Sequence, residues 1–230
     1  EKFSYTVKYF DEGKNCLNNP VIYNNPRLNN TGEGGQYTYS VWLRINNWYS
    51  NYNKWKTIFR KGSETDINLT DWCSYSEQSP GLYLGNKINN LRVVLTTTNS
   101  NGLQLEKCDI NNVPIKNWFL LTIVVNNNNL SIYINAKLER TCVFSGIIKN
   151  NNGPININSP LGFDGLLANL EYFNISLDQT EILQMLKNKP NYDVIKNQYD
   201  TNICTTNIDT PNIDYKQVFK NQNKEFREKL

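Results

Sequence analysis

The chain has 230 residues, with 24 Lys and Arg against 21 Asp and Glu, a net charge of +3 and no histidine. The lack of histidine removes Ser-His-Asp and Cys-His catalysis, and so small and evenly spread a charge does not suggest a nucleic-acid partner. No apolar run approaches the ~20 residues needed to span a bilayer, so direct membrane insertion is not expected, and there is no signal-peptide core.

This length fits one large all-β domain or two small ones, with a real core. The chain carries 14 Tyr, 9 Phe, 5 Trp and 40 Asn. The asparagines lie between patterned strands, which argues for compositional drift in an AT-rich genome and against a prion-like tract. The start at Glu1 reads as a processed or truncated form, whose anchor or targeting segment would lie upstream. Five cysteines (Cys16, Cys73, Cys108, Cys142 and Cys204) form no C-x-x-C pair, so a zinc site is not expected.

In chain order, "KFSYTVKYF" (2–10) alternates as a first strand. In "GQYTYSVWLRI", Tyr37, Tyr39, Val41, Leu43 and Ile45 share one face, and Thr38, Ser40, Trp42 and Arg44 share the other. "KTIFRKG" (56–62), "GLYLG" (81–85), "LRVVLTTT" (91–98) and "LQLEKC" (103–108) are further short strands. A meander follows. One strand ends at Val125, and Asn126 to Asn129 read as a four-residue turn. Leu130, Ile132 and Ile134 then alternate with Ser131, Tyr133 and Asn135. Asn135-Ala136 reverses the chain, and Leu138 to Phe144 returns. "DGLLANLEYFNI" (164–175) is the last core strand. Strands at this spacing, with little helix among them, predict an antiparallel sandwich.

Two helices are predicted late. "SLDQTEILQMLKNKP" has Ser176 as N-cap with Gln179 three residues on, a stripe of Ile182, Met185 and Leu186, and a stop at Pro190. Residues 191–230 read as a C-terminal extension with a helix near 211–229, capped by Thr210 with Pro211 at its first position. That helix either packs on its own sandwich or serves as an arm to a neighbouring protein or a second copy. Residues 1–190 form the main domain.

"YTYSVWLRINNW…KWKTIFRKG", "PGLYLG", "NVPIKNWFLLTIVVNNNNLSIYINAKLERTC" and "GLLANLEYFNISLDQTEI" occur in that order. Together they resemble the concanavalin A-like lectin/glucanase superfamily, in its laminin-G-like branch, over about residues 37–187. The style is similar to the laminin-G-like proteins encoded by large DNA viruses. The resemblance implies a jelly roll of two antiparallel sheets face to face, and a bridge between Cys108 and Cys142. Closing that loop would contribute on the order of 3–4 kcal/mol and imply oxidising assembly or an extracellular face. Cys16 with Cys73 is a weaker pairing that leaves Cys204 over. Two departures stand out. Asn135-Ala136 replaces the family's Asn-Gly, costing on the order of 1 kcal/mol if Ala136 takes positive φ. Phe119 stands where many relatives have histidine, so it carries no chemistry here.

Three functions follow for testing: a glucanase, a lectin and a non-catalytic interaction module. Retaining glucanases of the superfamily use E-x-D-x-x-E with carboxylates about 5 Å apart. "ETDINL" supplies Glu64 and Asp66 but Leu69 in place of the third acid, so an enzyme is not expected. "NNWYSNYNKW" places Trp48, Tyr49, Tyr52 and Trp55 in a polar stretch, where flat rings beside amides suit a glycan platform. The bland alternative packs Trp48 and Trp55 on the sandwich. Calcium would use Asp66, Asp71 or Asp164, which no D-x-D-x-D-G loop supports, so no metal or other cofactor is expected. Sequons occur at Asn29, Asn68, Asn129 and Asn174, of which Asn129, at the expected hairpin tip, is the best acceptor. The resulting expectation is a non-catalytic interaction module. It would sit on a virion or an extracellular or lumenal surface and bind another protein or a glycan. A true lectin using the loop aromatics is the alternative.

Overall fold

The computed structural model describes residues 6–10, 14–15, 21–23, 35–62, 72–74, 77–187 and 189, and of the segments before residue 24 the backbone alone. Fourteen strands run β1 (Thr6–Phe10), β2 (Lys14–Asn15), β3 (Val21–Tyr23), β4 (Gln36–Asn47), β5 (Lys56–Gly62), β6 (Gln78–Leu84), β7 (Asn90–Asn99), β8 (Gly102–Asn111), β9 (Trp118–Asn126), β10 (Asn129–Ile134), β11 (Lys137–Val143), β12 (Ile147–Ile148), β13 (Ile155–Ile157) and β14 (Asp164–Phe173). One helix, α1 (Gln179–Lys187), follows the last strand. All these elements belong to a compact unit spanning Glu1–Ile195. The C-terminal extension from 191 and its helix near 211–229 lie outside the described residues.

Two antiparallel sheets of seven strands pack face to face, as an antiparallel sandwich requires. The first has the order β1-β14-β4-β9-β10-β11, with β2 also on β14. The second runs β8-β7-β6-β5-β13-β3, with β12 on β7 as well. Tyr37, Tyr39, Val41, Leu43 and Ile45 all enter the core between the sheets, as their alternation predicts. Tyr39 packs 5.3 Å from Phe59 across the sandwich and 5.0 Å from Tyr172 beside it. Phe119 is fully buried in the same core, so its role is packing.

The outer face of the first sheet is also covered. Trp42, Leu120, Val124, Ala136 and Ala168 form a second apolar layer beneath Leu177 and Ile182. Met185 and Leu186 pack against its margin, which confirms the predicted stripe. The cap differs from the expected one. Asp178, not Ser176, starts the helix: its carboxylate accepts from Glu181 N–H at 2.8 Å, and Glu181 accepts from Asp178 N–H at 2.7 Å. Ser176 instead donates to Val125 O at 2.6 Å, tying the approach to α1 onto β9. A carboxylate is as good a cap as a hydroxyl, and Leu177 staples onto Ile182 only with Asp178 at the cap.

The turns also shift. Asn126 and Asn129 pair with one another as strand ends, so the four asparagines make a two-residue turn at Asn127-Asn128. Asn135 and Ala136 take φ of 51° and 61°, the two left-handed residues of a type I′ turn. The Asn135 side chain accepts from Leu120 N–H at 2.9 Å, and Ala136, at 4% exposure, lies in the layer beneath α1. Cys108 and Cys142 are bridged, with Cα atoms 6.0 Å apart. They join edge strands β8 and β11, and so tie one sheet to the other along one side. Arg140 Nη1 donates to Asp109 O at 2.8 Å on that side. Glu106 accepts there from Ser145 N–H at 3.0 Å and Gly146 N–H at 3.2 Å. Burial alone would raise the Glu106 carboxyl, but hydrogen bonds from Ser145, Thr97 and Gly146 outweigh it and hold it below the usual range. The proposed partner of Cys73, Cys16, lies outside the described residues, as does Cys204.

Candidate functional site

Strand β4 delivers its chain to one end of the sandwich, where residues 47–55 cross to β5. Turn bonds shape this loop: Tyr52 N–H donates to Tyr49 O and Lys54 N–H to Asn51 O, each at 3.1 Å. Asn51 and Asn53 take φ of 53° and 69°, backbone that asparagine adopts more readily than other side-chain-bearing residues. Neighbouring loops pin it further. Asn53 N–H donates to Asn86 O at 2.9 Å, Asn51 Nδ2 to Gly162 O at 3.1 Å, and Ser50 Oγ to Asp164 at 3.4 Å.

The loop therefore holds its side chains in fixed places, and it divides the four aromatics of the sequence. Trp48 turns inward: it is 6% exposed, belongs to the core, and its Nε1–H is buried without a hydrogen-bond partner. Lys56 lies over its ring at 5.0 Å and donates to Trp48 O at 3.3 Å and Gly85 O at 2.8 Å. Burial pulls the Lys56 ammonium down to about 8. Trp55 is half-buried and faces Arg92, whose guanidinium sits 4.4 Å from the Trp55 ring and 4.7 Å from the Trp72 ring. Two hydrogen bonds to Asp109, at 2.7 and 2.6 Å, hold that guanidinium in place. Only Tyr49 and Tyr52 present rings to solvent, at 73% and 52% exposure. Their centroids are 6.1 Å apart and their planes inclined by 39°.

Of the four residues expected to make a platform, the structure thus brings two together on the surface and gives the tryptophans to packing. Sequence reasoning missed Trp72 and Arg92, which meet only through tertiary contact, and the loops of residues 85–89 and 112–117, the first bonded to the tyrosine loop through Asn86 and the second to the first through Asn89. Their signal was weak: residues 86–90 fall in no predicted element, and "NVPIKN" enters only as part of the family resemblance.

The remaining candidates sit elsewhere. Glu64, Asp66 and Asp71 lie outside the described residues, as do Asn29 and Asn68. Asp164 accepts from Ser50. Among the described residues no three His, Cys, Asp or Glu side chains group as a metal site. Several carboxylates are committed to structure: Glu77 to Lys149, Asp109 to Arg92, and Asp178 with Glu181 to the helix cap. Asn129 opens β10 one residue past the turn and is half-buried, and Asn174 is 8% exposed. Near the start of β4, Tyr37, Tyr39, Tyr172, Lys61 and Ser79 line a cavity of about 10 Å³, room for a water and not for a sugar ring. Among the described residues no helix is long and apolar enough to cross a membrane.

This two-sheet antiparallel sandwich, with a short helix after its last strand, has the architecture of the concanavalin A-like proteins. The family model of laminin-G type for the concanavalin A-like lectin/glucanases superfamily matches residues 19–183, and the chain belongs to that family. No curated protein matches it in sequence. Among solved structures, the botulinum neurotoxin serotype D binding domain is similar at 15% identity and a TM-score of 0.55, over 80% of this chain and 42% of that one. The neurotoxin DC binding domain in complex with rat synaptotagmin II is similar at 19% identity and 0.54, over 81% and 46%. So is a structure of neurotoxin type C, which depends on interaction with two ganglioside molecules to enter cells, at 18% and 0.54, over 80% and 46%. The chain spans less than half the length of these proteins, and at such identity the likeness is one of fold.

Proposed function

We propose that the chain is a non-catalytic binding module that recognises carbohydrate through the loop of residues 47–55. The observation that carries this reading is the Tyr49–Tyr52 pair, two exposed rings held on a hydrogen-bonded loop among Asn47, Asn51 and Asn53. Rings stack on the apolar faces of a sugar, and amides orient its hydroxyls; a preformed loop loses little entropy on binding. The neurotoxin domains of the same fold engage synaptotagmin or depend on ganglioside, so both protein and glycan partners are compatible with this architecture, by analogy of fold. The module needs no cofactor. Its setting is an outer surface, extracellular or on a virion, because the Cys108–Cys142 bridge forms in oxidising surroundings. Residues 191–230 are the segment through which copies or partners would be joined.

A glycan array probed with the wild type and with the Tyr49→Ala/Tyr52→Ala double variant tests the reading. Selective binding is expected, falling by at least about tenfold in the double variant. The thermal midpoint should stay unchanged, because both rings are exposed. Silence of the wild type across a broad array, with EDTA or with calcium present, would overturn the carbohydrate reading.

A further inference from the structure

The tyrosine loop is one of three that meet at this end. Residues 85–89, between β6 and β7, lie against it through Asn53 N–H to Asn86 O at 2.9 Å. Residues 112–117, between β8 and β9, join the loop of residues 85–89 and the end of β4 that leads into the tyrosine loop. Asn112 N–H donates to Asn89 O at 2.9 Å, the Asn89 side chain bonds Val113 at both backbone atoms (2.9 and 3.1 Å), and Lys116 N–H reaches Ile45 O at 2.6 Å. Each loop contributes one exposed lysine: Lys54, Lys87 and Lys116. Among the described residues of these loops and of the neighbouring segment 158–164, the one carboxylate is Asp164. Ile88 lies in the loop of residues 85–89, next in sequence to Lys87, with 65% of its surface exposed.

A branched aliphatic side chain offers a sugar neither a flat face nor a hydrogen bond, so Ile88 is not explained by carbohydrate. An exposed apolar side chain on a loop bonded to the tyrosine loop, at an end that carries three exposed lysines, is what the boundary of a bilayer accepts. There the apolar group enters near the acyl chains, tyrosine sits at headgroup level, and each lysine near an anionic surface adds attraction. We propose that this end of the sandwich docks on an anionic lipid bilayer. Ile88 enters the headgroup–acyl boundary, and Lys54, Lys87 and Lys116 face the anionic headgroups. The chain lies on the membrane without crossing it. Ile88 lies outside the loop of residues 47–55 and takes no part in the carbohydrate reading, so the two readings fail separately.

The test is co-sedimentation of the full chain with phosphatidylcholine vesicles and with vesicles in which about one lipid in four is phosphatidylserine. Binding is expected to the anionic vesicles alone, and to weaken as salt is raised. The Lys54→Gln/Lys87→Gln/Lys116→Gln variant should bind about a hundredfold more weakly. Ile88→Ser should bind several-fold more weakly while keeping its glycan-array profile. Unchanged far-ultraviolet dichroism confirms that these exposed substitutions leave the fold intact. Equal wild-type binding to both vesicle types, or undiminished binding by the triple variant, would overturn the proposal. So would lysine-dependent binding to a soluble polyanion such as heparin without binding to vesicles.

Discussion

Asparagine does much of the conformational work that glycine does in other sandwiches. Nine described residues other than glycine take positive φ, and seven of them are asparagines: Asn51, Asn53, Asn112, Asn127, Asn135, Asn158 and Asn169. Composition alone therefore describes these residues incompletely; whatever their codon origin, many occupy turns and bulges that a β-branched residue would strain. Asn169, at φ 48°, sits in the bulge where β14 gains a residue against β4. Lys116 and Ala136 are the two exceptions, and Ala136 shows the balance. Its φ of 61° costs on the order of 1 kcal/mol, yet its methyl group is buried beneath α1. Ala136→Gly removes strain and methyl burial together, so denaturant unfolding should change by less than about 1 kcal/mol, whereas Ala136→Val should cost about 1–3 kcal/mol. Two lysines give a second prediction. Burial holds Lys56 and Lys61 at about 8, below their ordinary value of 10.5. The unfolded chain then binds more protons between about pH 8 and 10.5, and stability from these groups rises with pH across that window. Comparing denaturation at both ends of the window, Lys56→Met should show a smaller rise than the wild type.

At the scale of elements, period-two patterning was legible where a strand was long enough to display it. Tyr37 to Ile45 and Leu130 to Ile134 announced their buried faces, and both occupy the core as expected. β13 was invisible because Ile155–Ile157 spans three residues among asparagine, proline and glycine, too few to establish alternation. The four-asparagine turn was misread for a related reason: Asn126 and Asn129 look like loop residues, but pairing across the hairpin makes them strand. The bridge came from family resemblance, since five cysteines admit many pairings. Its position between edge strands predicts the outcome of removing it. Cys108→Ala/Cys142→Ala should lower unfolding stability by on the order of 3–4 kcal/mol. A loss below about 1 kcal/mol in a chevron or equilibrium titration would show that the Arg140 and Glu106 contacts alone hold that side.

For the molecule as a whole, fold was more legible than site. Burial and alternation are local signals repeated along every strand, whereas the fate of a loop aromatic depends on what the rest of the chain places beside it. Trp48 is buried because Lys56 and the core close over it, and Trp55 is occupied because Arg92 arrives from β7. Tyr49 and Tyr52 stay outside for want of such neighbours. With α1 covering one outer face, the end loops are where side chains can vary at least cost to packing. The bridge between β8 and β11 has a further, mechanical consequence. Its two cysteines are 34 positions apart, and the enclosed segment contains β9 and β10. A chain drawn out by its ends passes tension directly through the sulfur bond and leaves that segment slack. Its length at rupture falls short of full extension by about 110–120 Å, at roughly 3.3–3.6 Å per residue. A reducing medium would return that hidden length, so the same domain is a shorter tether on an oxidising surface than inside a reducing cell.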